Sequence, residues 1–155
     1  MNRRSMFILS AVAALALSQP ARAADPTIDG TWELNIAASK STDPMPKSTT
    51  RTYVTTGDQE KLTGNIVTAD GKTIPIGFTA TVDGKDHPFQ SPGVDALAIT
   101  KVDALTISFV VKREGKVAFT GTRTLSKDGK TLTFVTKGTN AEGKPSETTA
   151  VYDRK

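Results

Sequence analysis

The chain has no cysteine. Disulfides cannot staple it, and neither a thiolate metal site nor a lipid-modified N-terminal cysteine is open to it. Histidine occurs once, as His87, and tryptophan once, as Trp32. One imidazole without thiols falls short of a zinc site. No segment spaces its oxygens and a closing Glu as a calcium loop does, and no Gly-rich loop opens a helix to cradle phosphate. No metal and no cofactor are therefore expected. Charge of one sign is not massed anywhere, because acidic and basic residues are interspersed. A nucleic-acid binder needs a basic stripe to neutralise phosphates, so no nucleic-acid partner is expected.

Long apolar runs are scarce too. The one present, residues 6–17, is broken by Ser10 and follows Met1-Asn2-Arg3-Arg4. It is too short for a membrane-spanning helix, which needs about 20 apolar residues. A basic start, an apolar run and the small pair Ala21 and Ala23 read as a cleaved export signal. The cut is expected between Ala23 and Ala24. Residues 1–23 are then a signal peptide and 24–155 one domain, periplasmic or extracellular, with no stable membrane anchor. Arg3-Arg4 suits the general or the twin-arginine route. Cleavage removes Arg3, Arg4 and Arg22, leaving 17 basic against 16 acidic residues where the full chain carries +4. A domain of this size buries about two-thirds of its chain surface, and without disulfides that burial must hold it.

What the chain does have is a repeated turn. Asp70-Gly71-Lys72, Asp83-Gly84-Lys85, Glu114-Gly115-Lys116, Asp128-Gly129-Lys130 and Glu142-Gly143-Lys144 are all acid-Gly-Lys. Gly takes positive φ without strain, and Asp tolerates it, so such pairs between alternating segments signal hairpins. Between the turns the period is two. Ile74, Ile76, Phe78, Ala80 and Val82 share a face; so do Leu105, Ile107, Phe109 and Val111; so do Val117, Phe119, Gly121, Arg123 and Leu125; so do Leu132 and Phe134. Thr dominates the opposite faces. That is an antiparallel sheet with one buried and one wet side.

Strands are expected near 31–36, 49–56, 60–68, 73–83, 95–101, 104–113, 116–126, 130–139 and 146–153, with a short one at 86–89. Residues 37–48, which hold Pro44 and Pro46, are expected to be irregular. Hairpin-linked strands have exposed edges, and closing the sheet removes them. The fold class is therefore all-β: an antiparallel up-and-down meander closed into a barrel of about 8–10 strands. A β-sandwich is the alternative.

Residues able to carry chemistry are few. Asp86 beside His87 could orient the imidazole, but no nucleophile motif surrounds it. Arg123 falls on the apolar face, where an unpaired guanidinium would cost several kcal/mol. It could stack on Trp32 or meet a carboxylate, internal or on a ligand. Arg51 beside Tyr53 is a weaker candidate of the same kind. The inward Phe78, Phe109, Phe119 and Phe134 either fill a small barrel or line a cavity for one small ligand.

The opening Gly30-Thr31-Trp32, the meander and the domain length resemble the calycin superfamily, which holds the lipocalins and the fatty-acid-binding proteins. In those families the Trp packs under an Arg from a late strand, so the resemblance implies a structural signature of Gly30, Trp32 and Arg123. The stretch Gly121-Thr122-Arg123-Thr124-Leu125 up to Leu132 looks like a late hairpin of a fatty-acid-binding protein. Trp32-Glu33-Leu34-Asn35 with Ser39-Lys40 looks like a group of secreted bacterial lipocalin-like proteins. Fatty-acid-binding proteins end in Arg-x-Tyr, whose Arg and Tyr hold the lipid carboxylate. Here the matching place reads Ala150-Val151-Tyr152, so the Tyr is present and the Arg is not. Their helical lid has no counterpart in 37–48.

Three functions follow as expectations. The first is an exported lipocalin-like protein that binds a small apolar or amphipathic ligand through Arg51, Tyr53, Phe78, Phe109, Phe119, Arg123, Phe134 and Tyr152. The second is a structural or interaction protein of the cell envelope with a filled barrel. The third is an enzyme, which would need His87 or a pair of carboxylates facing a pocket; no catalytic residue is named for it. The export reading makes a direct prediction. Expressed in a Gram-negative bacterium and recovered from the periplasm, the protein should have the intact mass of a chain beginning at Ala24; a full-length mass would remove the signal peptide.

Overall fold

The computed structural model describes residues 25–155. The signal peptide and the Ala23–Ala24 cleavage site lie outside the described residues. Eleven strands follow in order: β1 (Gly30–Leu34), β2 (Lys40–Ser41), β3 (Ser48–Thr56), β4 (Gln59–Val67), β5 (Thr73–Thr81), β6 (His87–Ser91), β7 (Val94–Lys101), β8 (Thr106–Arg113), β9 (Lys116–Leu125), β10 (Thr131–Thr139) and β11 (Pro145–Arg154). No helix occurs among the described residues. From β3 to β11 each strand pairs antiparallel with the next, and β1 pairs with both β3 and β11. The meander is thus a closed barrel of ten strands. The two-residue β2 is an addition, paired to β11 through Thr148↔Ser41 and Thr149↔Lys40.

The acid-Gly turns work as their chemistry dictates. All five glycines have positive φ. At the β8–β9 hairpin Arg113 pairs with Lys116, and both Glu114 (φ 51) and Gly115 (φ 74) are left-handed, the two-residue turn that matches strand twist. In the longer turns a side chain supplies the missing partners. Ser126 Oγ accepts from the amides of Lys130 and Thr131, and Asn140 Oδ1 accepts from those of Glu142 and Lys144.

The buried faces follow the period-two pattern, with one correction. Val117 was expected inside but is 58% exposed, and Ala118 is buried instead. Phe119 pairs with Val111 and Val117 with Lys112, so Ala118 is the extra residue of a β-bulge. One inserted residue reverses side-chain parity, and a strict alternation reading cannot see it.

The second correction concerns Arg123. Its guanidinium meets Glu60 and the Tyr53 ring, and the cation over Trp32 is another. Trp32 is fully buried, and Arg154 lies directly across from it in the β1–β11 register, with Cζ 4.3 Å from the ring centroid. Arg154 also donates to the carbonyl of Gly129 at 2.6 Å and to those of Asp29 and Thr27. Trp32 Nε1 donates to the Ile28 carbonyl at 2.8 Å. Together these tie residues 27–29 and the β9–β10 turn over one end of the barrel. The Trp–Arg pairing expected from the resemblance is present in kind, but its arginine sits on the adjacent strand. Register explains this: β9 is three places away from β1 around the ring, whereas β11 is its neighbour.

Replacing Arg154 with Ala should therefore lower unfolding free energy by about 2–3 kcal/mol, through lost charged hydrogen bonds and cation–π contact. Arg154→Lys should not restore it, because one ammonium cannot serve three carbonyls while stacking on a ring. Urea unfolding followed by Trp32 fluorescence measures both.

Candidate functional site

One end of the barrel is solid. Trp32, Leu62, Leu125 and Leu132 pack there, all buried. Above them Arg123 on β9 meets Glu60 on β4. The pair is bidentate, Nη1 to Oε1 at 2.5 Å and Nη2 to Oε2 at 2.7 Å, and both residues are buried. The Arg123 guanidinium also lies over the Tyr53 ring, 5.1 Å from its centroid. Burial pulls the Arg123 pKa down, but the Glu60 hydrogen bonds and Tyr53 raise it overall, so it is a permanent cation. β4 and β9 are five places apart in the ring of ten, so the ion pair spans the barrel.

On the far side of this pair the interior is open. A cavity of about 380 Å³ occupies it, with Arg123 among its lining residues. All eight residues expected to contact a ligand line it: Arg51, Tyr53, Phe78, Phe109, Phe119, Arg123, Phe134 and Tyr152. Gly30 and Trp32 lie outside, at the solid end. Alternating side-chain size helps create the space. Three inward glycines stand directly opposite large inward side chains, Gly64 opposite Arg51, Gly121 opposite Phe109 and Gly138 opposite Phe119. A Cβ on Gly121 would lie 2.8 Å from Phe109 Cζ and would also run into the Val135 carbonyl oxygen. The Phe109 ring lies where that side chain would be.

Arg51 is the unusual group. It projects from β3 into the cavity and donates from Nε to the Tyr152 hydroxyl at 3.1 Å and from Nη1 to the Tyr53 hydroxyl at 3.5 Å. Its Cζ lies 5.0 Å from the Phe134 ring centroid and 5.3 Å from that of Tyr152. Among the described residues no carboxylate forms an ion pair with it, and its remaining N–H donors have no protein acceptor. Burial pulls its pKa down, but Tyr152 and Tyr53 raise it overall, so it too stays charged. Arg123 is neutralised inside the protein; Arg51 is not.

The mouth is framed by the strap between β2 and β3 and by the alternate turns. Pro44, Met45 and Pro46 line the cavity from the strap. Asp43 fastens it, accepting from Asn140 Nδ2 at 2.8 Å and from the Ser146 hydroxyl. Those bonds hold the Asp43 carboxyl below the usual carboxylate range. Residues 37–48, expected to be merely irregular, thus form part of the site. His87 does not. Its Nε2 lies 3.1 Å from Asp83 rather than pairing with Asp86, which binds Lys112 at 2.6 Å, and it is not in the cavity wall. Among the described residues, Asp43 is the one carboxylate lining the cavity.

Sequence reading missed two of these partners. Glu60 shares strand parity with Leu62 and Ile66, which was signal enough to place it inside. Arg154 shares parity with Tyr152, yet it reads as part of a polar tail.

No family model matches the chain, and no curated protein matches it in sequence. Solved structures do. The zebrafish ileal bile acid-binding protein complexed with cholic acid superposes with a TM-score of 0.53 at 13% identity, over 82% of this chain and 98% of that one. A redesigned β-barrel, mFAP1, bound to DFHBI, gives 0.43 at 14% identity over 81% and 94%. At such identities the first likeness speaks for fold alone, and the second is too distant to argue from. The fold that emerges is a ten-stranded antiparallel barrel like that of the bile acid-binding protein.

Cutting one partner of the buried pair strands a charge, whereas replacing both need not. Arg123→Met should cost about 3–5 kcal/mol in urea unfolding by leaving Glu60 alone, and Glu60→Leu a similar amount. The double variant should recover most of that loss. Additive losses would show that the two residues do not act as a pair.

Proposed function

We propose that this protein is an exported, lipocalin-like carrier that binds one small amphipathic anion inside its barrel. The observation that supports the reading best is the uncompensated Arg51 guanidinium in an otherwise largely apolar cavity. Pockets of about 300–1,000 Å³ with a few convergent polar groups are the usual form of small-molecule sites. A half-buried cation with free donors facing a cavity recognises a carboxylate or another oxyanion, which Arg binds as a planar fork. The Tyr152 and Tyr53 hydroxyls hold the guanidinium in place. Ala150 stands where fatty-acid-binding proteins carry the arginine of Arg-x-Tyr, and Arg51 on β3 brings a guanidinium to Tyr152 from another strand. The bile acid-binding neighbour, complexed with cholic acid, is in keeping with an amphipathic anion as ligand. Export by the N-terminal signal would place the carrier in the periplasm or outside the cell.

The test is fluorescence titration with 8-anilinonaphthalene-1-sulfonate, an anionic amphiphile. Saturable one-site binding is expected. Arg51→Met should weaken it at least about tenfold, the scale of one lost charged hydrogen bond, while leaving the far-UV circular dichroism of the barrel unchanged. Native mass spectrometry of protein purified from its source should show a retained small anion. Absence of saturable probe binding would overturn the carrier reading, and unchanged affinity in Arg51→Met would remove Arg51 as the anchor.

A further inference from the structure

The aromatic residues are placed with strong bias. Every phenylalanine after Phe7, and both tyrosines, line the cavity. None is spent on the outer face or on the solid end, where Trp32 is the single aromatic.

Their arrangement has a shape. Tyr53, Phe78 and Phe89 form one edge-to-face series, with centroids 6.5 and 5.8 Å apart and interplanar angles of 61° and 75°. Phe109, Phe134 and Tyr152 form a second series, tilted at 6.1 Å and 56° and then edge-to-face at 5.4 Å and 66°. The first series sits on β3, β5 and β6 and the second on β8, β10 and β11, two facing arcs of the ring separated by β1 on one side and β7 on the other. The separating strands contribute aliphatic side chains, Leu34 from β1 and Leu97 and Ile99 from β7. The cavity is therefore a slot whose two walls carry the aromatics, with Ile66, Ile107 and Val111 among them, and whose edges are aliphatic. Arg51 starts on the first arc and places its guanidinium against Phe134 and Tyr152 of the second.

From this slot we infer that the ligand is a planar aromatic acid, one or two fused rings bearing a carboxylate. The inference rests on the carrier reading above and specifies its ligand class. A flat ring between two aromatic walls meets them stacked or edge-on, with its positive edge against their negative faces. A saturated chain has no such quadrupole, and it must give up its rotors on entering. The carboxylate then meets the free donors of Arg51 in the plane of the ring to which it is attached. A rigid acid satisfies walls and cation together.

Competition against bound 8-anilinonaphthalene-1-sulfonate decides the matter. The competitors are 2-naphthoate and undecanoate, which match in carbon number and charge. 2-Naphthoate should compete at least about tenfold more strongly, the scale of one or two aromatic contacts. Phe78→Leu and Phe109→Leu, one from each wall, should each shrink that ratio by weakening 2-naphthoate more than undecanoate, with the probe affinity of each variant measured first. Equal or stronger competition by undecanoate overturns the aromatic inference while the carrier reading stands. So does a ratio that survives both wall substitutions. If the sulfonate probe itself does not bind saturably, the carrier reading fails and takes this inference with it.

Discussion

The ion pair between Glu60 and Arg123 organises the interior. It crosses the barrel from β4 to β9, nearly a full diameter. Two charges out of water are costly, and their attraction offsets this only with good geometry. Here the geometry is bidentate, and the Tyr53 ring covers the guanidinium. On one side of the pair the side chains are close-packed; on the other they line a space. A purely apolar cross-brace could hold the walls apart equally well. An ion pair does so while fixing which residues meet, since any slip in strand register would leave a buried charge alone.

The open half depends on a different balance. Ten strands enclose more room than the inward side chains fill, and three inward glycines stand opposite large side chains. Gly121 leaves room for the Phe109 ring, and Gly64 stands opposite Arg51. The strap of residues 43–46 is tied to the β10–β11 turn through Asp43 and completes the rim. In this barrel the solid end supplies stability and the open end supplies the site, and each of the two internal arginines belongs chiefly to one of them.

Much of this was legible in the chain. The acid-Gly-Lys turns gave the hairpins, because only residues tolerant of positive φ fit such turns. Alternation placed Phe78, Phe109 and Phe134 inside, because a strand turns every second side chain to the same face; the facing of the strand that carries Arg51 and Tyr53 was left open by it. What alternation could not reveal was the bulge at Ala118, which reverses parity at Val117 without any change in composition. Nor could it distinguish the two arginines. Arg51 and Arg123 both sit in strands beside apolar residues, and nothing local says that one has a carboxylate facing it across the barrel and the other has none.

The sequence by itself determined the all-β class, the positions of the hairpin turns and most of the inward side chains, since turn chemistry and a period of two are local properties. The tertiary structure alone decided the partners. Which arginine covers Trp32, which one is neutralised by Glu60 and which stands free in the cavity depend on how the strands are ordered and registered around a closed ring. Those contacts join residues far apart in the chain, 63 positions for Glu60 and Arg123 and 101 for Arg51 and Tyr152. No local pattern encodes them, because closure of the sheet brings them together.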